Sequence, residues 1–294
     1  METPPVKYQF EVDLDDRNNG HALLIGLVAG HRSDGMEVLE VGCSSGYVGA
    51  TLVARGHRVT GVEADPVAAE AARARLHAVH AMEADRFLDR PATTRYDAIL
   101  FGDVLEHIAD PESTLRLCHP HLANDGIVAV SLPCITHGSI RAMLLDGRWD
   151  YGDFGLLDRT HLRFFSREGM AGLMARGGFR IRRLQGTVMP IDTAAREYGM
   201  RLSERAIAAV EALGHDDPGL LVFQFVLSAS PEPDAEVEAL LAHNLDVSLE
   251  PATLPPHPPG HRSLPQRMRA GLFRALLRPM AARRFRNRPS ATSA

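Results

Sequence analysis

Short apolar runs alternate with longer mixed segments from residue 37 to residue 229. The runs at 37–41, 58–63, 78–82, 96–101, 126–132, 179–185 and 221–229 have the length and branched-apolar content of strands. The segments between them read as helices and turns, an alternation that builds an α/β fold, a parallel sheet with helices on both faces. One helical stretch at 193–213, rich in Ala, Arg and Glu, separates the last two strands. A short apolar helix ending near Gly30 precedes the first. No internal repeat is visible, and no apolar run reaches the roughly 18 residues needed to span a membrane.

The first strand runs into Gly42-Cys43-Ser44-Ser45-Gly46, and a helix opens at Val48. Gly42 and Gly46 permit a tight turn close to a ligand. Glu63 ends the second strand about twenty residues later, where an acid accepts both hydroxyls of a ribose. These positions point to an adenosine-containing ligand. A dinucleotide is disfavoured, because G-x-G-x-x-G needs glycines where Ser44 and Tyr47 stand, and without them a helix N-terminus cannot approach a pyrophosphate. The same residues also satisfy G-x-S-x-G, the nucleophile elbow of serine hydrolases. That reading needs earlier strands with an oxyanion loop, and the residues before the first strand hold no His-Gly-Gly run. A purely structural turn is the remaining alternative.

The pattern Glu40-x-Gly42-x-Ser44-x-Gly46 resembles motif I of the class I S-adenosylmethionine (SAM) methyltransferases, acid-x-G-x-G-x-G, with Ser44 as its one departure. The fourth strand continues into Gly102-Asp103-Val104-Leu105-Glu106-His107, which resembles motif IV of the group that includes the ubiquinone-biosynthesis O-methyltransferases. This resemblance runs over residues 8–179. It implies a Rossmann-like sheet of seven strands, the last inserted antiparallel beside the sixth, with SAM as cofactor. It also implies roles. Gly42, Cys43, Ser44 and Gly46 would line the methionine part, and Glu40 would hold its ammonium group through water. Glu63 and Ala64 would meet the ribose, Glu83 or Asp85 the adenine amino group, and Gly102 and Asp103 would close the site. Residues 8–21, with Asn18, Asn19 and His21, resemble the entrance segment that covers bound cofactor; a passive cap is the equal alternative.

Residues 134–166 form a long insertion after the fifth strand and hold the only tryptophan, Trp149. An insertion at the carboxyl edge of such a sheet is where a substrate pocket or lid is built. Its run Leu157-Asp158-Arg159-Thr160-His161-Leu162-Arg163-Phe164-Phe165 resembles blocks in bacterial methyltransferases encoded with, or fused to, glycosyltransferases. That resemblance implies a glycan or a glycosylated small molecule as acceptor. Transfer to a hydroxyl requires alignment and removal of a proton, a task that suits imidazole. His161 is the candidate base with Asp158 as its orienting partner; the alternative is that both tie the insertion to the core. His107 is a second candidate base or a structural hydrogen-bonder. N- or C-methylation, and SAM binding without chemistry, are the competing functions.

The net charge of −5 conceals an asymmetry, because nine arginines and no acid follow residue 250, leaving the rest of the chain at −14. Prolines crowd 231–259, although 234–243 can form a short helix, so the sequence divides into a catalytic domain at 1–230, a linker at 231–262 and a basic tail at 263–294. In the tail, Met268, Leu272 and Leu276 oppose Arg267, Arg274 and Arg278, the pattern of a basic amphipathic helix. Such a helix suits an anionic membrane surface or a protein partner, with a disordered tail as the alternative. Nucleic acid is disfavoured, since no aromatic interleaving accompanies the arginines. Cys43, Cys118 and Cys134 lack C-x-x-C spacing, which argues against a disulfide framework and a structural zinc site, and no metal-ligand set is read from the sequence. The first residues lack a secretory apolar segment, so the expected location is the cytoplasm.

Overall fold

The computed structural model describes residues 12–33 and 35–252. Its strands are β1 (Glu37–Val41), β2 (Arg58–Glu63), β3 (Ala78–Ala81), β4 (Tyr96–Gly102), β5 (Leu122–Pro133), β6 (Phe179–Val188), β7 (Val222–Pro231) and β8 (Leu249–Pro251). They make one sheet in the order β3-β2-β1-β4-β5-β7-β6-β8. The first five strands are parallel throughout, and β7 enters antiparallel between β5 and β6. Successive side chains of a strand face opposite ways, so each central strand feeds two cores. Leu39, Val41, Ile99, Phe101, Val128 and Val130 lie in one, and Val38, Ala98, Leu100 and Ala129 in the other. Burial on both faces explains why these strands read as nearly unbroken apolar runs.

Five helices connect the parallel strands or precede them: α1 (Gly20–His31), α2 (Tyr47–Val53), α3 (Pro66–Ala72), α4 (Ala84–Leu88) and α5 (Pro111–Cys118). Asp-Pro pairs start two of them. Asp65 accepts from Val67 N at 2.9 Å and Asp110 from Ser113 N at 3.0 Å, each cap contributing about 1 kcal/mol. Proline at the first helical position lacks an N–H that would have no partner there. Asn19 caps α1 in the same way, accepting from Ala22 N at 3.0 Å.

The insertion contains α6 (Gly138–Leu145), and α7 (Arg167–Arg176) follows it. The insertion has a small core of its own, where Ile140, Met143, Leu156 and Leu157 pack with Ala194 and Phe223. His137 caps α6: its Nδ1 accepts from Ser139 N at 3.1 Å while Nε2 donates to the Met189 carbonyl at 2.8 Å. Burial pushes His137 down to about 4, so the neutral ring that the cap requires is the stable form.

The chain departs from its sequence pattern in three places. The stretch at 193–213 is two helices, α8 (Ile191–Glu197) and α9 (Glu204–Leu213), with Gly199 in the left-handed region between them. The sheet has eight strands rather than seven, because β8 pairs parallel with β6 from Leu184 to Gly186. Most consequentially, 231–251 is not a linker. α10 (Val237–Asp246) packs on α7 and β6, burying Leu240 and Asn244 completely. Asn244 Oδ1 accepts from Ile181 N at 2.8 Å, and its Nδ2 donates to the carbonyls of Phe179 at 3.1 Å and Ala171 at 3.4 Å. The compact unit therefore ends near Pro255 rather than at 230. The expected basic helix at 263–294 and the start of the entrance segment lie outside the described residues. No helix among the described residues is long and apolar enough to cross a membrane.

Candidate active site

β1 delivers the chain into a loop whose shape depends on missing side chains. Gly42 and Gly46 have φ of 68° and 75°, and a Cβ on Gly42 would stand 2.5 Å from Val104 Cγ2. Ser44, where the family pattern has glycine, is also left-handed at φ 48°. A non-glycine residue pays roughly 1–2 kcal/mol for that conformation. Glu63 holds the loop in place, its Oε2 accepting from Ser44 N at 2.7 Å and its Oε1 from Asp65 N at 2.9 Å. The carboxylate remains partly exposed beside the loop, in reach of a ligand's hydroxyls.

Glu40 lies under this loop and is 6% exposed, with Oε2 lacking any hydrogen-bond partner. Burial pushes its carboxyl up to about 8; the Gly49 N–H pulls the other way, and the Glu63 charge adds to the rise. Glu40 lines a crevice with Leu24, Gly42, Cys43, Tyr47 and Gly102. A buried carboxyl with one oxygen unpartnered, beside a glycine cradle, is what a ligand carrying an ammonium group would complete, so the residues present fit the methionine end of SAM.

The other positions named from the sequence are placed as follows. Ala64 and Glu83 are exposed at the carboxyl edge, following β2 and β3. Asp85 is committed elsewhere: it accepts from Thr114 Oγ1 at 2.5 Å and ties α4 to α5. Gly102 ends β4, and Asp103 follows it with φ 55°. Among the described residues Ser44 and Asp103 are the two non-glycine positions with positive φ, and each directly follows a residue that lines the crevice, Cys43 and Gly102. Asp103 Oδ1 accepts from Ser131 Oγ at 2.9 Å, and Gln224 Nε2 donates to both its oxygens at 2.9 Å. His21 Nε2 lies 3.6 Å from Asp103 Oδ2 and 3.4 Å from the Tyr47 hydroxyl. Sequence reasoning passed over Ser131 and Gln224. Their only signal is a polar residue inside an otherwise apolar strand.

The insertion brings His161 to His107, with ring centroids 4.8 Å apart. The Asp158 carboxylate reaches this pair through Thr160, accepting from its N at 2.9 Å and its Oγ1 at 2.7 Å. His107 Nδ1 in turn lies 3.2 Å from both the carbonyl and the hydroxyl of Thr160. His161 Nδ1 lies 3.3 Å from the Leu156 carbonyl. Burial and then the neighbouring His107 lower the pKa of His161, which keeps its ring neutral near pH 7. Glu106 joins the group, its carbonyl accepting from Leu162 N at 2.8 Å and Arg163 N at 3.0 Å. Burial, with Asp103 and Asp158 adding, pushes its carboxyl well above the ordinary range.

Residues 19–184 match the family model described as a methyltransferase domain. The ubiquinone biosynthesis O-methyltransferase of Idiomarina loihiensis is 28% identical over 121 residues, 36% of this chain and 47% of that protein. The corresponding protein of Pseudomonas aeruginosa is 32% identical over 104 residues, 33% of this chain and 44% of that protein. The match thus spans less than half the length of these curated relatives. A SAM-dependent methyltransferase from Archaeoglobus fulgidus superposes with a TM-score of 0.50 at 16% identity, over 71% of this chain and 93% of that one. An O-methyltransferase from a trans-AT polyketide synthase of Brevibacillus brevis, in complex with S-adenosyl-L-homocysteine, gives 0.51 at 14% identity over 79% of each chain. At these identities the likeness establishes the fold. With more than half of the chain matched by the family model, the protein belongs to the methyltransferase-domain family and has the fold of the class I SAM-dependent enzymes.

Proposed function

We propose that the protein transfers the methyl group of SAM to a hydroxyl of a sugar or glycosylated metabolite. The observation that carries this reading is that the Glu40–Gly42–Glu63 cradle and the His107–His161 pair both follow carboxyl ends of strands of one sheet, with Asp103 next to Gly102 of the crevice and near enough to His161 for its charge to act there. Bound SAM supplies a methyl group on a positively charged sulfur, open to in-line attack. Gly42 and Gly46 admit the methionine part, Glu40 pairs with its ammonium group, and Glu63 takes the ribose hydroxyls. Glu83 or Asp85, both exposed, takes the adenine amino group, Asp85 with its Oδ1 already accepting from Thr114. Gly102 and Asp103 form the opposite lip. The neutral imidazole of His161 is the chain's means of handling the acceptor proton.

A row of rings supports a carbohydrate acceptor. Trp149 and Tyr151 are 38% and 51% exposed, and Trp149 meets Phe164, which meets His161, at centroid separations of 5.6 and 6.2 Å. The Arg148–Asp150 and Arg159–Asp153 pairs stand in the same insertion. Aromatic faces can receive the apolar face of a pyranose while charged groups at the border take its hydroxyls. The test is formation of S-adenosylhomocysteine with a panel of glycosides, simple phenols and amines. Turnover confined to glycosides supports the reading; turnover confined to phenols or amines replaces it.

Glu63→Ala is expected to weaken SAM binding about tenfold or more, since charge-assisted bonds to two hydroxyls contribute on the order of 1.5–3 kcal/mol. Calorimetric titration checks this. Unchanged affinity in a folded variant would remove the ribose assignment.

A further inference from the structure

Glu106 is 1% exposed, and neither oxygen of its carboxyl group has a hydrogen-bond partner. Burying such a group unpaired is costly in either protonation state. Its surroundings contain donors of another kind. One ligand atom from each of Glu106, His107 and His161 lies within 4.8 Å of the other two. Ligand atoms bound at about 2.0–2.2 Å around a cation stand roughly 3–3.5 Å apart, so a modest closing of three side chains suffices.

We propose that Glu106, His107 and His161 bind a divalent transition-metal cation, such as Zn²⁺ or Mn²⁺. The hydrogen bonds around the rings support this assignment. The Thr160 hydroxyl donates to Asp158, so it accepts from His107 Nδ1–H, as does the Thr160 carbonyl. The Leu156 carbonyl accepts from His161 Nδ1–H. With the proton on Nδ1, the lone pair of each ring lies on Nε2, the arrangement by which outer-shell carbonyls and carboxylates orient metal-bound imidazoles. Two imidazoles and one carboxylate favour transition-metal cations over Mg²⁺ or Ca²⁺, which prefer all-oxygen sets. Glu106 closes the buried side, while both histidines are partly exposed and leave coordination positions open on theirs.

In its catalytic role the inference rests on the proposed O-methylation. An acceptor hydroxyl at an open position loses its proton to solvent more readily than a free one. Its oxygen then forms the bond to the methyl carbon, the carbon–sulfur bond breaks, and the electron pair stays on sulfur. The imidazoles in this scheme hold the ion, and the ion activates the hydroxyl.

The experiment uses full-length protein stripped by chelation and titrated with Zn²⁺ and, separately, Mn²⁺ by calorimetry. SAM affinity and the melting curve of the metal-free form are measured on the same samples. One equivalent is expected to bind and raise the melting temperature. Glu106→Gln and His107→Ala are each expected to lower cation affinity at least tenfold, whereas His215→Ala, at an exposed position, leaves it unchanged. Glu106→Gln keeps the shape of the buried side chain, so a loss there is not a loss of folding. Absence of saturable binding, or equal binding by the two site variants, overturns the proposal. Intact SAM affinity in those samples would show that the methyltransferase reading stands without it.

Discussion

His161→Ala is expected to lower turnover by about 10²–10⁴, with SAM affinity and melting temperature nearly unchanged. The ring packs with His107 and Phe164 rather than with Glu40 or Glu63, so its removal should spare the cofactor side. The loss is expected whether the ring takes the proton itself or holds a cation, and the metal titration distinguishes these routes. A pH profile adds a signature that a scaffold residue would not give. The neutral ring is the working form, and burial lowers its pKa from the ordinary histidine value. Activity should therefore persist as pH falls through about 6.5 and decline only below it. A variant that loses stability, SAM binding and turnover in proportion would instead mark His161 as a residue tying the insertion to the core.

A chain ending at Ser230 is expected to fold poorly or not at all, whereas one ending at Pro255 should melt close to the full-length protein. The shorter chain lacks α10 and β8. Losing the burial of Leu240 costs about 2–3 kcal/mol. Without Asn244, the Ile181 N–H and the Phe179 carbonyl lose their side-chain partner, at about 0.5–1.5 kcal/mol for each hydrogen bond. The Arg180–Glu232 pair, at 2.6 Å, disappears as well. Together these approach about 5 kcal/mol, comparable with the whole stability of many domains. The expected fall in melting temperature is about 10–20 °C. Thermal denaturation of the two truncated proteins decides it, and melting within two or three degrees of each other would show that α10 contributes little.

The central sheet was legible because its signal is local. A parallel strand buried on both faces must be apolar along its length, and the glycine loop must lack side chains, so β1, β2 and their turn could be read within a few residues. β8 was not legible, since three residues paired through the main chain carry no periodicity. α10 was legible as a short helix but not as part of the domain: the surrounding prolines suggested a linker, and its anchor is one asparagine whose partners lie about sixty to seventy positions earlier. In the site, Asp85 matched the family by residue type, but its contact with Thr114 is one that no spacing rule reveals. Glu106 stood inside a recognised motif, yet its significance depends on His161, which arrives from an insertion fifty-five positions later.

Trp149 is the only tryptophan in the chain and stands at the outer end of the ring series that leads through Phe164 to His161. Any acceptor that settles against these rings displaces solvent from a single emitting group. The enzyme thus contains its own optical reporter, and acceptor binding can be followed by intrinsic fluorescence, without a label and without turnover.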